Sequence, residues 1–170
     1  FSDCAYLTHR AGATSVGIRF GAYHFADPDK SLNDAVLEAD YFLSVASLSS
    51  GDLVPALDLE KANGLKPEQL TAWARAWLEQ VYLRLGVKGI IYTYPSFWKD
   101  EMANTTWFAD NGYPVLWIAH YKVKAPSAPA NNWGGHGWTF WQWTDRGSVS
   151  GISGKIDENL YNGTAFAPNV

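Results

Sequence analysis

The chain has little cysteine, little charge and no long apolar run, and each shortage excludes something. A single cysteine, Cys4, stands among 170 residues, so no internal disulfide forms and no oxidising compartment is required. No apolar segment reaches the ~18 residues needed to cross a bilayer, so no membrane partner is expected. No basic-then-apolar leader is visible at Phe1-Ser2-Asp3. Charged residues are 18% of the chain and the net charge is -4, which argues against a nucleic-acid partner. His9, His24, His120 and His136 show no metal-ligand spacing, so no metal is expected. Gly154-Lys155 lacks the other residues of a phosphate loop, and residues 148–153 lack the G-x-S-x-G of a nucleophile elbow.

What is present is apolar and aromatic. Hydrophobic residues make up 47%, enough for a sizeable core in one domain spanning residues 1–170. With 9 Trp and 9 Tyr, the chain has either a Trp-rich core or flat surfaces for a ring-shaped ligand such as a sugar. A helix is predicted from Ser2, its cap, to about Val16, with Gly17 as its stop. Residues 18–25 (IRFGAYHF) read as a strand. Leu32, Ala35, Val36, Ala39, Phe42, Leu43 and Ala46 then fall on one helix face. Residues 53–59 (LVPALDL) form the next apolar strand.

The clearest helix lies between Pro67, placed for a first turn, and Gly86, its stop. Leu70, Trp73, Ala74, Trp77, Leu78, Val81 and Leu85 share its apolar face, which assigns both tryptophans to packing. Strands follow at 87–93, 113–119, 138–143 and 155–160, with a helix over 95–103 and a long loop over 125–137. Strand alternating with helix predicts a parallel sheet, either open and doubly wound or closed as a barrel. No glycine-rich turn follows the first strand, which disfavours the nucleotide-binding version. Tyr23-His24, Asp58-Glu60, Tyr92-Tyr94, His120-Tyr121, Gln142 and Asp157 all fall near strand ends, the pattern of a barrel.

Asp58-Leu59-Glu60 is the segment that matters for chemistry. Residues two apart on a strand point to the same side, their Cα atoms roughly 6.5–7 Å apart. Two carboxylates crowded at a buried strand end cannot both ionise freely, so one is held as an acid near neutrality. Glycosidic cleavage needs such an acid beside a group that stabilises the sugar cation. An acidic strand end or helix cap explains the bare D-x-E motif equally well.

The neighbouring blocks decide between these. RFGAYHF, LVPALDLE, GIIYTYPSFW, PVLWIAHY, WTFWQWT and IDENLYNG, in this order, resemble the glycoside hydrolase family 25 lysozymes. The resemblance runs from about Arg19 to Gly163 and implies an α/β fold of the (β/α) TIM-barrel type. It implies cleavage of the β-1,4 bond between N-acetylmuramic acid and N-acetylglucosamine in peptidoglycan, with no cofactor. By position, Glu60 becomes the general acid/base, and Asp58 assists through the substrate's acetamido group. Asp157 becomes the acid of the last strand. Tyr92 and Tyr94 match a tyrosine pair lining the sugar groove, with Tyr23, Tyr121, Trp141 and Gln142 as further lining residues. Read without the family, Asp157 serves equally as a loop carboxylate, and the tyrosines as core residues with wet hydroxyls.

The match begins in the helix before what would be the family's third strand. The expectation is therefore a truncated barrel of about six strands, lacking the first two and the acidic residue on one of them. Asp27 is a candidate replacement, although Ala26-Asp27-Pro28-Asp29 also reads as a turn. Two sheet edges would be exposed, and they are expected either to meet and close a smaller barrel or to pair across a homodimer. The implied partner is the glycan strand of the wall, reached by a secreted or phage-delivered protein. Two alternatives stand beside this reading: an inactive peptidoglycan- or chitin-binding module, and a chitinase-like hydrolase.

Overall fold

The computed structural model describes residues 2–163 and Val170. Helix α1 (Tyr6–Ser15) leads to strand β1 (Tyr23–Phe25), helix α2 (Leu32–Ala46), strand β2 (Ala56–Asp58) and helix α3 (Pro67–Leu85). Strand β3 (Ile90–Thr93) is followed by two short helices, α4 (Pro95–Asp100) and α5 (Trp107–Asp110). Strands β4 (Leu116–Ala119), β5 (Phe140–Gly147) and β6 (Ile156–Tyr161) complete one sheet in the order β1-β2-β3-β4-β5-β6. β1 to β5 run parallel, and β6 returns antiparallel to β5. The sheet curls into a half-barrel.

The expected closure is not formed. β1 and β6 lie at opposite ends of the strand order, with no ladder between them among the described residues. β1 is also shorter than predicted. Only three of its residues pair fully, while the Phe20 and Ala22 carbonyls still accept from the Leu53 and Ala56 amides. Its outer edge borders an aromatic groove of about 680 Å³ that includes Tyr6, Phe20, Tyr23, Tyr41 and Phe42. Helix α1 starts at Tyr6 rather than Ser2. Asp3, not Ser2, turns its carboxylate to an amide there, accepting from Ala5 N–H at 2.8 Å.

Alternation along the strands divides the sheet into two faces. Leu57, Leu59, Ile91, Leu116, Ile118 and Trp141 pack against the helices, meeting Phe42 from α2 and Trp73, Trp77 and Leu78 from α3. The concave face carries a smaller apolar floor of Val54, Ala56 and Ile90, backed by Val115, Trp117 and Phe140. α3 begins where Pro67 predicts, with Lys66 N–H donating to Gln69 Oε1 at 3.0 Å, and ends on Gly86 at φ 72°.

Trp77 is fully buried and stacks on His24, ring centroids 5.6 Å apart and planes 9° from parallel. Trp77→Ala empties a cavity between β1, α2 and α3. It is expected to cost about 3–5 kcal/mol in urea unfolding, and a loss under 1 kcal/mol would contradict this account.

The predicted loop over 125–137 contains a left-handed turn. Ala130, Asn131, Asn132 and Trp133 all hold φ between 51° and 56°. Such backbone costs roughly 1–2 kcal/mol per residue and needs outside support. Asn104 Oδ1 accepts from Ala130 N–H at 2.8 Å, and buried Trp133 donates its indole N–H to Tyr113 O at 2.8 Å.

Candidate active site

Asp58 ends β2 on the concave face, in register with Phe25, Tyr92, Trp117, Phe140 and Tyr161 across the sheet. The strand end is held firmly. Leu59 N–H donates to Tyr92 O, and Thr93 Oγ1 donates to Leu59 O at 3.0 Å. Leu59 turns into the helix-side core, so Glu60 comes back to the concave side. Asp58 is 8% exposed and its Oδ1 has no hydrogen-bond partner. Glu60 is half-buried and opens on a cavity of about 380 Å³ shared with Tyr94, Ser96, Phe97, Asp100 and Glu101.

Burial, reinforced by the charge and the hydrogen bond of Glu60, pushes the Asp58 carboxyl up to about 8. That direction favours the protonated form of the inner carboxyl near neutral pH. That arrangement is a proton reservoir in contact with a half-exposed carboxylate.

Tyrosines surround the pair. Burial, and then the charge of Glu60, raises the Tyr92 phenol well above its ordinary value. The same two causes, in the same order, raise Tyr94. Tyr92 Oη donates to Gln142 Oε1 at 2.7 Å, and Tyr121 Oη donates to the same atom. Tyr23 is 62% exposed on β1; burial of part of its ring raises its phenol, followed by the charges of Asp58 and Asp157. Asp157 is exposed on β6, and its field reaches both Tyr23 and Tyr121. The curl of the sheet thus gathers Asp58, Glu60, Tyr92, Tyr94, Tyr121 and Gln142 on one face, with Tyr23 and Asp157 at its rims.

Trp141 is not brought to this groove. It neighbours Gln142 on β5, so it points to the opposite face, where it joins the helix-side core and donates its indole N–H to His120 O at 2.8 Å. Asp27 is also a turn carboxylate. It accepts from Asn63 Nδ2 at 2.9 Å and faces Lys61 Nζ at 3.7 Å, which together hold its carboxyl below the usual range. His24 lies on the helix side with Glu38, and His120 Nδ1 accepts from Ser127 N–H at 3.1 Å.

Two residues of the groove escaped the sequence reading. Trp117 packs edge-on against Tyr92, centroids 5.0 Å apart, and donates its indole N–H to Asn159 Oδ1 at 2.7 Å. The two-residue spacing of Trp117, Ala119 and Tyr121 was the available signal. Among the described residues, no three His, Cys, Asp or Glu side chains converge as a metal site.

A parallel half-barrel bearing a carboxyl pair at a strand end under a shelf of tyrosines has the architecture of a glycoside hydrolase catalytic domain. The model of glycosyl hydrolases family 25 matches residues 1–152, and the chain belongs to that family. Asp157 and Asn159 lie beyond the matched residues. Lysozyme M1 of Streptomyces globisporus is 33% identical over 174 residues, covering 97% of this chain and 57% of its own. YegX, an uncharacterised protein of Escherichia coli O6:H1, is 38% identical over 148 residues, covering 87% of this chain and 50% of its own. This chain therefore spans about half the length of the curated relatives it matches. The crystal structure of the bacterial lysozyme from Streptomyces coelicolor superimposes with a TM-score of 0.87 at 32% identity, over 97% of this chain and 77% of that one.

Proposed function

We propose that this chain is a muramidase domain that cleaves the β-1,4 bond between N-acetylmuramic acid and N-acetylglucosamine in bacterial wall glycan. The observation that carries the reading is the Asp58–Glu60 pair at the strand end, its inner carboxyl buried and its outer one open to a cavity. Glu60 gives a proton to the glycosidic oxygen as the bond to C1 breaks. The acetamido oxygen of the same sugar bonds to C1 and neutralises the developing cation. Water then adds to C1, returning a proton to Glu60 and releasing the acetamido oxygen.

Asp58 links binding to this acid. It is 8% exposed at the strand end, and an acetamido N–H needs an acceptor. Accepting that N–H favours the ionised form of Asp58, and the proton passes across the shared hydrogen bond to Glu60. The acid is thereby armed only when an N-acetylated sugar is in place. Asp157 adds negative charge at the rim beside Tyr23 and Tyr121. The tyrosines provide the sugar-facing surface.

A binding-only reading draws on one observation. Among the described residues the β1 edge is unpaired, and Tyr23 and Phe25, 62% and 43% exposed, flank it. The decisive experiment is clearing of purified peptidoglycan with analysis of the new reducing ends, run beside chitin oligomers. Muramic acid at the new reducing ends is the expected result. Binding without cleavage establishes the module, and preferential chitin cleavage establishes the chitinase-like alternative.

A further inference from the structure

Four strands cooperate to fix one amide. Asn159 on β6 accepts the indole N–H of Trp117 on β4, Trp117 packs edge-on against Tyr92 from β3, and Tyr92 donates to Gln142 on β5. Tyr92 reaches Gln142 over β4, whose residue in register with Gln142 is the small Ala119. Tyr121 donates to the same Gln142 oxygen from the other side. A carbonyl oxygen has two lone pairs, so Gln142 Oε1 is filled. Turning the amide over would strip both phenol protons of this acceptor, leaving Tyr92 only the neighbouring Tyr121 hydroxyl and Tyr121 no carbonyl or carboxylate among the described residues.

The orientation leaves the other end of the amide to be explained. Gln142 is only 4% exposed, yet its Nε2 makes no hydrogen bond among the described residues. Among the described residues the sealed side-chain atoms without a partner are Asp58 Oδ1, Trp77 Nε1 and Tyr113 Oη, and Nε2 is not one of them. Nε2 therefore reaches the surface of the groove with two N–H donors to offer. In register, Gln142 lies level with Ala119 and Asn159, two residues beyond the row that contains Asp58. That places it toward the same end of the concave face as Glu60.

We propose that Gln142 is a fixed hydrogen-bond donor to a hydroxyl or carbonyl oxygen of the sugar bound beside the carboxyl pair, with Tyr92 and Tyr121 as its positioning residues. This rests on the muramidase reading. A preset donor costs no side-chain ordering when the sugar arrives, so its hydrogen bond appears in affinity almost undiminished. A lone Gln would have to surrender rotamer freedom first.

Two substitutions separate a donor from a tyrosine anchor. Gln142→Glu keeps an acceptor for both hydroxyls and removes the donor, whereas Gln142→Met removes both. Each is placed in the Glu60→Gln chain, and binding of a tetrasaccharide of alternating N-acetylglucosamine and N-acetylmuramic acid is followed by calorimetry. A lost hydrogen bond of this kind corresponds to about 5–30-fold. Both variants are expected to weaken binding by that factor, and Gln142→Glu is expected to keep the melting temperature of its parent. In the otherwise native chain, KM should rise by the same factor with kcat within about threefold.

Binding by Gln142→Glu within twofold of its parent, with Gln142→Met impaired, makes Gln142 an anchor and overturns the proposal. A native chain that neither binds the tetrasaccharide nor clears peptidoglycan overturns the muramidase reading and this inference together. Clearance by the native chain with unchanged binding in both variants overturns this inference alone.

Discussion

Replacement of Glu60 by glutamine is expected to reduce peptidoglycan clearance by about 10²–10⁴-fold while leaving glycan affinity within a few-fold. The amide has the size of the carboxyl and retains its packing beside Tyr94 and Phe97. It has no acidic proton to give the leaving oxygen. Glu60 is half-buried and open to its cavity, so the exchange leaves no new sealed polar atom in the core. The melting temperature should therefore shift by no more than about 2–4 °C, the equivalent of ~1 kcal/mol in a chain of this size. The native pH profile carries the complementary signature. The pair's proton leaves near the value reached by Asp58, about 8, so clearance should decline as pH rises through that region. A folded Glu60→Gln chain with more than about a tenth of native clearance would remove Glu60 from the role of acid.

The parts of this site that were legible in sequence are those governed by short-range periodicity. Period 2 placed Asp58 and Glu60 on one side of a strand, and period 3.6 with Pro67 and Gly86 set the bounds of α3. Both Trp73 and Trp77 then fell on the buried face of that helix, as found. The family resemblance implies lining roles for both Trp141 and Gln142, but these are adjacent on β5 and alternation turns only one of them to the groove. Strand direction was equally hidden, since IDENLY pairs antiparallel to β5 through contacts no local pattern records. The Trp117–Asn159 bond spans 42 residues. The left-handed turn at 130–133 has no intrinsic preference in Ala130 or Trp133 and exists because Asn104 and Tyr113 hold it from outside. The predicted strand over 18–25 is three residues long, and its outer edge has no ladder partner among the described residues.

Asp58→Asn is expected to lose clearance by about 10²–10³-fold and yet to stabilise the fold at neutral and alkaline pH. The loss is that of an oriented charge beside the reacting centre. Asp157→Asn, exposed at the rim, should lose less. The gain follows from the direction of the Asp58 shift. Its carboxyl rises from 3.8 in the unfolded chain to about 8 in the folded one. Between those values the folded state binds a proton that the unfolded state has released. Stability must therefore fall as pH rises from about 4 to about 8, and it stays at the lower level above that. Asparagine is neutral throughout and abolishes this slope. The two proteins should be nearly equal at pH 4 and differ most at pH 8 and above. Urea unfolding at intervals between those pH values measures the difference directly. Equal slopes for the native and Asp58→Asn chains would show that the inner carboxyl is not the one holding the proton. A substitution that weakens the reaction while strengthening the fold is what a site maintained against stability predicts. An acetamido N–H that meets the exposed part of the Asp58 carboxyl would favour its ionised form. Saturating glycan should therefore stabilise the native chain more than it stabilises Asp58→Asn.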